Sequence, residues 1–346
     1  MALQSSGQIS LNDIHVEAGG SSGSQATLND SDIRGLIDKS SGAQNSFSEY
    51  YGASAEVSLT SGGTVNGQAQ RQEITVSNFI SSGGTLRIPS SLWVWSDSTS
   101  TPALTIDISC TIINEGKIIG KGGVGGHGNT TISNSTSNAK GNGGDGGPAI
   151  KINSGVSGVT ITNSSGAFIA GGGGGGGSSG VEPQNTYAGG GGGAGGGAGG
   201  EGGGVGTGNL GGTGGALNAS GSQHTGNPIT GAPGGEAGGA GMGSSSEDQR
   251  SGGGGGGGRI LPGNTTFSNS FYTAGGNAGN AGSNGAAGGN TGKAGGGGGW
   301  GASGGLGYRG TFNTNDCVGG SGGKAIEDSG NSYSLTNNGT IYGATT

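Results

Sequence analysis

Hydrophobic and polar residues alternate in short stretches over residues 55–110. Glu73-Ile-Thr-Val-Ser, Thr85-Leu-Arg-Ile-Pro, Leu92-Trp-Val-Trp and Leu104-Thr-Ile-Asp-Ile each put every second side chain on one face, with Gly, Ser and Pro between them. This is the pattern of half-buried strands separated by turns, and it predicts a small β-sandwich or β-roll. Upstream the period changes. Over residues 28–37, Ile33, Leu36 and Ile37 share one face of a short helix that Asn29 or Ser31 caps. The segment SGAQNSFSEYYGAS follows and brings Phe47, Tyr50 and Tyr51 close together. Residues 1–54 thus read as a small helical knot with an aromatic plug. Its functional reading is a docking peg, with Ile33, Leu36, Phe47, Tyr50 and Tyr51 as the anchoring residues.

Beyond residue 110 the strand pattern becomes a repeat. Residues 111–120 (TIINEGKIIG), 160–171 (TITNSSGAFIAG) and 334–343 (SLTNNGTIYG) each run from an apolar strand through an Asn-containing turn to a second apolar strand that ends at Gly. Asn and Gly supply the positive φ of tight hairpin turns, so each copy is expected to be a hairpin. The strings GGPAI (146–150) and GGKAI (322–326) precede the last two copies. The same punctuation closes a short glycine tract and a long one, which separates these tracts from a low-complexity tail.

Composition now changes the picture. Glycine makes up 96 of 346 residues, and apolar residues only 27%. Glycine is costly to order, so such a chain is either disordered or held by a lattice of main-chain contacts. The period decides for the lattice. Glycine recurs at 276, 279, 282, 285 and 288, and again from 289 to 310 in unbroken steps of three. A three-residue period belongs to a left-handed extended helix rising ~3.1 Å per residue. The shifting register and the 7 prolines exclude collagen. The expected architecture is mostly β and irregular: an N-terminal helical anchor (1–54), a β-rich neck with a small Gly-rich module (55–168), and a bundle of polyglycine-II helices closed by a C-terminal strand pair (169–346). Interchain N–H···O bonds and Cα–H···O contacts would hold the bundle.

Candidate loops at 178–188, 216–233, 244–251, 259–274 and 300–318 interrupt the tracts and carry the aromatic residues of this region. Tyr187, His224, Phe271, Tyr272, Trp300, Tyr308 and Phe312 are therefore the candidate contact residues, because aromatic side chains give much contact area at little entropy cost. Trp300, set between glycines, serves equally well as a seal at the bundle edge. Successive loops of a folded-back bundle should alternate between its two ends.

The net charge of −7 excludes a nucleic-acid partner. No apolar run reaches the ~20 residues of a membrane helix, and the N-terminus lacks a secretory signal, which places synthesis in a cytoplasm. Two distant cysteines, Cys110 and Cys317, read as free thiols. His15, His127 and His224 lie in different regions, so neither a metal site nor a cofactor is expected. No catalytic constellation is recognisable: the expectation is binding, not catalysis.

The seven-glycine runs 171–177 and 252–258, the alternating loops and the closing TNNGTIYG (336–343) resemble the tail-fibre-tip adhesins of T-even-type bacteriophages. The resemblance covers about 110–346. It implies a polyglycine-II scaffold whose loops recognise an outer-membrane protein or surface glycan of the host. Residues 1–55, ending SFSEYYGAS, resemble a short leader found on phage virion structural proteins, which implies attachment to a tail, baseplate or fibre protein. The resemblance places the chain at the tail or fibre tip of a virion made in a bacterial cytoplasm, and a homotrimer is compatible with it. A purely structural fibre or decoration protein is the second reading. An ice-binding polyglycine-II protein, using alanines such as Ala194, Ala237 and Ala278, is the third.

Overall fold

The computed structural model describes residues 3–37, 39–53, 56–128, 141–181, 186–200, 202–204, 207–209, 211–223, 239, 254–261, 275–288, 293–307 and 317–346. Strands dominate, and the only α-helices among these residues are Leu11–Glu17 and Ser31–Gly35. The first helix is closed by a capping box in which Ser10 and Asp13 satisfy each other's backbone N–H groups. The second is shorter than its apolar face suggests. Asp30 stands at its N-cap but makes no capping bond, because its carboxylate accepts instead from Thr27 N and Oγ1. Leu3, Ile14, Ile33 and Tyr50 form the buried centre of this N-terminal unit, and Leu36 packs against them. Phe47 and Tyr51 are exposed.

The strands that follow build a three-sided parallel β-helix, not a sandwich or a roll. One face stacks Glu56–Ser58, Thr85–Ile88, Cys110–Asn114, Val159–Asn163 and Tyr333–Asn337. A second stacks Gln68–Gln72, Trp93–Trp95, Lys117–Ile119, Phe168–Ala170 and Thr340–Tyr342, with Gly63–Val65 added antiparallel at its edge. The third stacks Ile74–Thr75, Leu104–Ile106, Ile150–Ile152 and Ile326–Glu327. The chain visits the faces in rotation, and a bridge from Thr345 to Ile326 completes the last coil. Leu86, Ile112, Ile161 and Leu335 stack in register on one face, and Val94, Ile118, Ile169 and Ile341 on another. These columns fill the interior.

The sequence repeats are therefore coils rather than hairpins. The two strands of each copy lie in different sheets, and each pairs in parallel with its counterpart in the next copy. Asn114, Asn163 and Asn337 are conformationally ordinary, with none at positive φ. Their purpose is a ladder. Asn114 Nδ2 donates to Asn163 Oδ1 at 2.9 Å, and Asn163 Nδ2 donates to Asn337 Oδ1 at 2.8 Å. Two turn glycines answer close approach, a Cβ on Gly116 lying 2.3 Å from Leu92 O and one on Gly339 2.5 Å from Ala167 O, while Gly166 supplies a positive φ of 81°. GGPAI and GGKAI each return the chain to the third face, where Ile150 and Ile326 are direct partners.

Both glycine-rich regions are insertions at one corner of this β-helix. Residues 120–149 separate the second-face and third-face strands of one coil, and residues 171–325 separate those of the next. In the tract Gly171–Gly177 every N–H donates and every carbonyl accepts, always to another tract or to a β-helix strand. Residues three apart address the same neighbour: Gly172, Gly175 and Ser178 donate to Gly147, Gly144 and Gly141, while Gly173 and Gly176 donate to Ala194 and Gly191. The tract is enclosed by 120–126, 141–147, 317–323, 301–307, 294–299 and 189–194, and each of these is bonded to the next around the ring. Segments 189–194 and 294–299 are likewise enclosed on all sides. Inside the tract 171–177 there is no room for a side chain; a Cβ on Gly175 would lie 1.9 Å from Val124 O.

Candidate binding site at the far end of the glycine bundle

The tracts give the bundle two ends. The near end rests on the second face of the β-helix. There Trp93, Trp95, Ile119 and Ala170 pack against Ala194, Leu217 and Trp300, which come from three separate turns of the bundle. Arg259 locks this junction. It lies over the Trp95 ring at 4.6 Å, donates through Nε to Gly195 O at 2.8 Å, and pairs with Asp97. Lys121 Nζ reaches the same Asp97 oxygen at 2.7 Å. Burial pulls both cations below their usual pKa. Burial also pushes the Asp97 carboxyl up, but hydrogen bonds from Lys121 and Arg259 outweigh it and hold it below the ordinary carboxylate range. Asn66 Nδ2 adds a bond to Leu217 O, and Trp300 Nε1 donates to Ile260 O.

The far end gathers Gly126, Gly141, Ser178, Gly190, Gly200, Gly307 and Cys317, which hydrogen bonds and the Gly307–Cys317 bridge place at one level. Two hairpins extend from it as a four-stranded antiparallel sheet in the order Ser179–Val181, Thr186–Ala188, Gly202–Gly204, Thr207–Asn209.

Trp300 does not belong to that surface. It is fully buried at the near end, so its ring seals the junction instead of facing outward. Tyr187 sits on a strand of the far-end sheet, in register between Gly180 and Gly203. His224, Phe271, Tyr272, Tyr308 and Phe312 lie outside the described residues. The sequence reading also overlooked Val124, Leu306 and Val318, which are 45%, 45% and 49% exposed on the bundle flank. Their signal was the glycine phase: within a tract, the non-glycine position at every third residue faces away from the lattice. Of the two cysteines, Cys110 is buried in the β-helix, where burial pushes its thiol up to about 12. Cys317, also a buried free thiol, accepts from Ser178 Oγ at 3.6 Å.

Among the described residues no His, Cys, Asp and Glu side chains group as a metal site would need. No helix among them is long and apolar enough to cross a membrane.

Comparison with curated proteins gives no match. Among solved structures, the gp37-gp38 adhesin tip complex of the bacteriophage S16 long tail fibre is similar at 19% identity and a TM-score of 0.42, over 100% of both chains. The family model for the phage tail fibre adhesin Gp38 matches residues 55–251, more than half of the chain. The match takes in every β-helix strand up to Phe168–Ala170 and the first part of the glycine bundle, and the chain belongs to the Gp38 family of phage tail fibre adhesins.

Proposed function

We propose that this adhesin recognises a host bacterial surface receptor through the far end of its glycine bundle, while residues 1–54 fasten it to the virion. One observation carries the reading. Among the described residues, the exposed large apolar side chains fall into two groups: Val16, Phe47 and Tyr51 on the N-terminal unit, and Val124, Leu306 and Val318 on the bundle. The β-helix between them exposes none. Clustered apolar exposure marks interaction surfaces, so two groups suit a protein that joins two partners.

In this reading the tracts are polyglycine-II helices, supported by the three-residue period of their hydrogen bonds and the six neighbours of the central tract. A seven-residue tract then spans about 20 Å, enough to hold the loops well clear of the β-helix. The contact residues are Tyr187, His224, Phe271, Tyr272, Tyr308 and Phe312. The receptor is an outer-membrane protein or a surface glycan. At the other group, Ile33, Leu36 and Tyr50 hold the N-terminal unit together, while Phe47 and Tyr51 meet a tail, baseplate or fibre protein. Binding is the whole activity.

Replacing 262–274 and 308–316 with Gly-Ser segments of equal length tests the reading. Phage carrying this variant should adsorb to host cells far more slowly with the protein still present on the virion. Unchanged adsorption would sink the proposal.

A further inference from the structure

A cavity of about 160 Å³ opens where the N-terminal unit meets the first coil of the β-helix. The unit contributes Ser31, Asp32 and Leu36 to its wall. The β-helix contributes Val57 and the corner 79–84, which leads from the third face back to the first and carries Phe79 and Ser82. Leu36, Val57 and Phe79 are half-buried there, and the Asp32 carboxylate is half-exposed. Asp32 differs from its acidic neighbours. Asp13 is held by Ser10, Asp30 by Thr27, and Glu49 by Ser46 and Lys39. Among the described residues, Asp32 faces only His15, whose Nδ1 stands 3.9 Å from Oδ2, beyond hydrogen-bonding distance. The resident cations are committed elsewhere. Arg34 is buried and donates to Ser40 O and Ala43 O, and Lys39 pairs with Glu49. Arg71 lies over the Phe79 ring at 5.1 Å but is held by Thr60 O and Oγ1.

We infer that this cavity receives a lysine side chain of the virion protein on which residues 1–54 dock. The inference rests on the attachment reading above and names the chemistry of its partner. A lysine lays its stem along apolar surface and keeps its ammonium among polar groups. Leu36, Val57 and Phe79 supply the first requirement, and the uncommitted Asp32 carboxylate supplies the second. The acceptors favour lysine over arginine. A carboxylate and the separate hydroxyls of Ser31 and Ser82 suit a compact head with three donors, whereas a planar guanidinium fork is best met by two parallel acceptors. Charge points the same way. Residues 1–54 hold six Asp and Glu against two Arg and Lys, so this unit meets a basic surface with complementary potential.

The experiment mixes purified full-length protein with virions that lack it, grown from an amber mutant, and measures the amount bound after sedimentation. D32N should rebind about tenfold or more weakly than wild type, and added salt should weaken wild type more than D32N. S82K keeps Asp32 but places a resident ammonium at the cavity, and should weaken rebinding too. Ser82 is exposed, so a folding defect does not account for that loss. E327Q removes the same charge from the last coil and should rebind as wild type. Carbodiimide treatment of intact wild-type virions should couple Asp32 to a lysine of another virion protein. Rebinding of D32N or S82K at the wild-type level overturns the inference, and so does coupling of Asp32 to a second copy of this chain. The variant F47S/Y51S separates the two readings. If it rebinds weakly while D32N rebinds as wild type, the attachment reading stands and the lysine site falls; if both rebind as wild type, both fall.

Discussion

At the scale of single residues, the glycines divide into two kinds that the chain writes differently. Uninterrupted glycine, as in 171–177, belongs to a tract enclosed on every side. Glycine at every third position, as in 276–288, belongs to an outer tract: Gly276, Gly279, Gly285 and Gly288 are buried while Asn277, Asn280, Ala286 and Ala287 are exposed. The three-residue period was legible in the sequence, and so was the lattice. Which tracts neighbour which was not, because glycine offers no side chain to specify a partner. A direct test follows. Gly175→Ala forces a Cβ to within 1.9 Å of Val124 O and should destabilise by about 3 kcal/mol. Ala287→Ser, on an exposed position, should stay within about 0.5 kcal/mol. Denaturant unfolding of the two variants measures the difference.

At the scale of elements, the strands were legible and their partners were not. Alternation in segments such as Thr85–Ile88 identifies a strand with one buried face, but that face looks the same in a sandwich, a roll or a coil. The Asn-containing turns pointed to hairpins because Asn in a turn ordinarily signals positive φ. Here three copies at equivalent positions signal stacking, since their amides bond only when the copies lie in parallel register. Asn114 and Asn163 are fully buried, so removing the middle rung leaves Asn114 Nδ2 without that acceptor in an apolar surround. Asn163→Ala should cost about 2–4 kcal/mol, above the effect of one exposed hydrogen bond. Thermal unfolding reads this directly. The short helix at Leu11–Glu17 escaped notice for a different reason: with few apolar positions, its one strong signal was the Ser10–Asp13 capping box.

At the scale of the whole molecule, the junction decides whether bundle and β-helix behave as one body. No sequence pattern announced it. Arg259 directly follows a glycine run, and Asp97 lies in a polar turn 162 positions away, so only the fold brings them together. Trp300 was misplaced on the contact surface for the same reason. Because the Asp97 pKa is depressed in the folded state, its contribution is present above the unfolded carboxylate value of about 3.9 and is lost as the pH falls through the folded value. Wild type should therefore loosen at the junction below about pH 4, read as a red shift of Trp93 and Trp95 emission. Asp97→Asn should show less of this acid dependence while being weaker at pH 7. An identical acid profile in both would remove Asp97 from the account.

The enclosure of Gly171–Gly177 has a mechanical consequence. Its bonds all run sideways, to neighbouring tracts and at Gly171 to the strand Thr340–Tyr342, and the tract itself continues a β-helix strand. A load applied at the far end and directed along the bundle therefore falls on many crosslinks in shear, together, and passes into the sheets without being carried by any single contact. Weak individual bonds, loaded in parallel, make a stiff tether from a residue usually associated with slack.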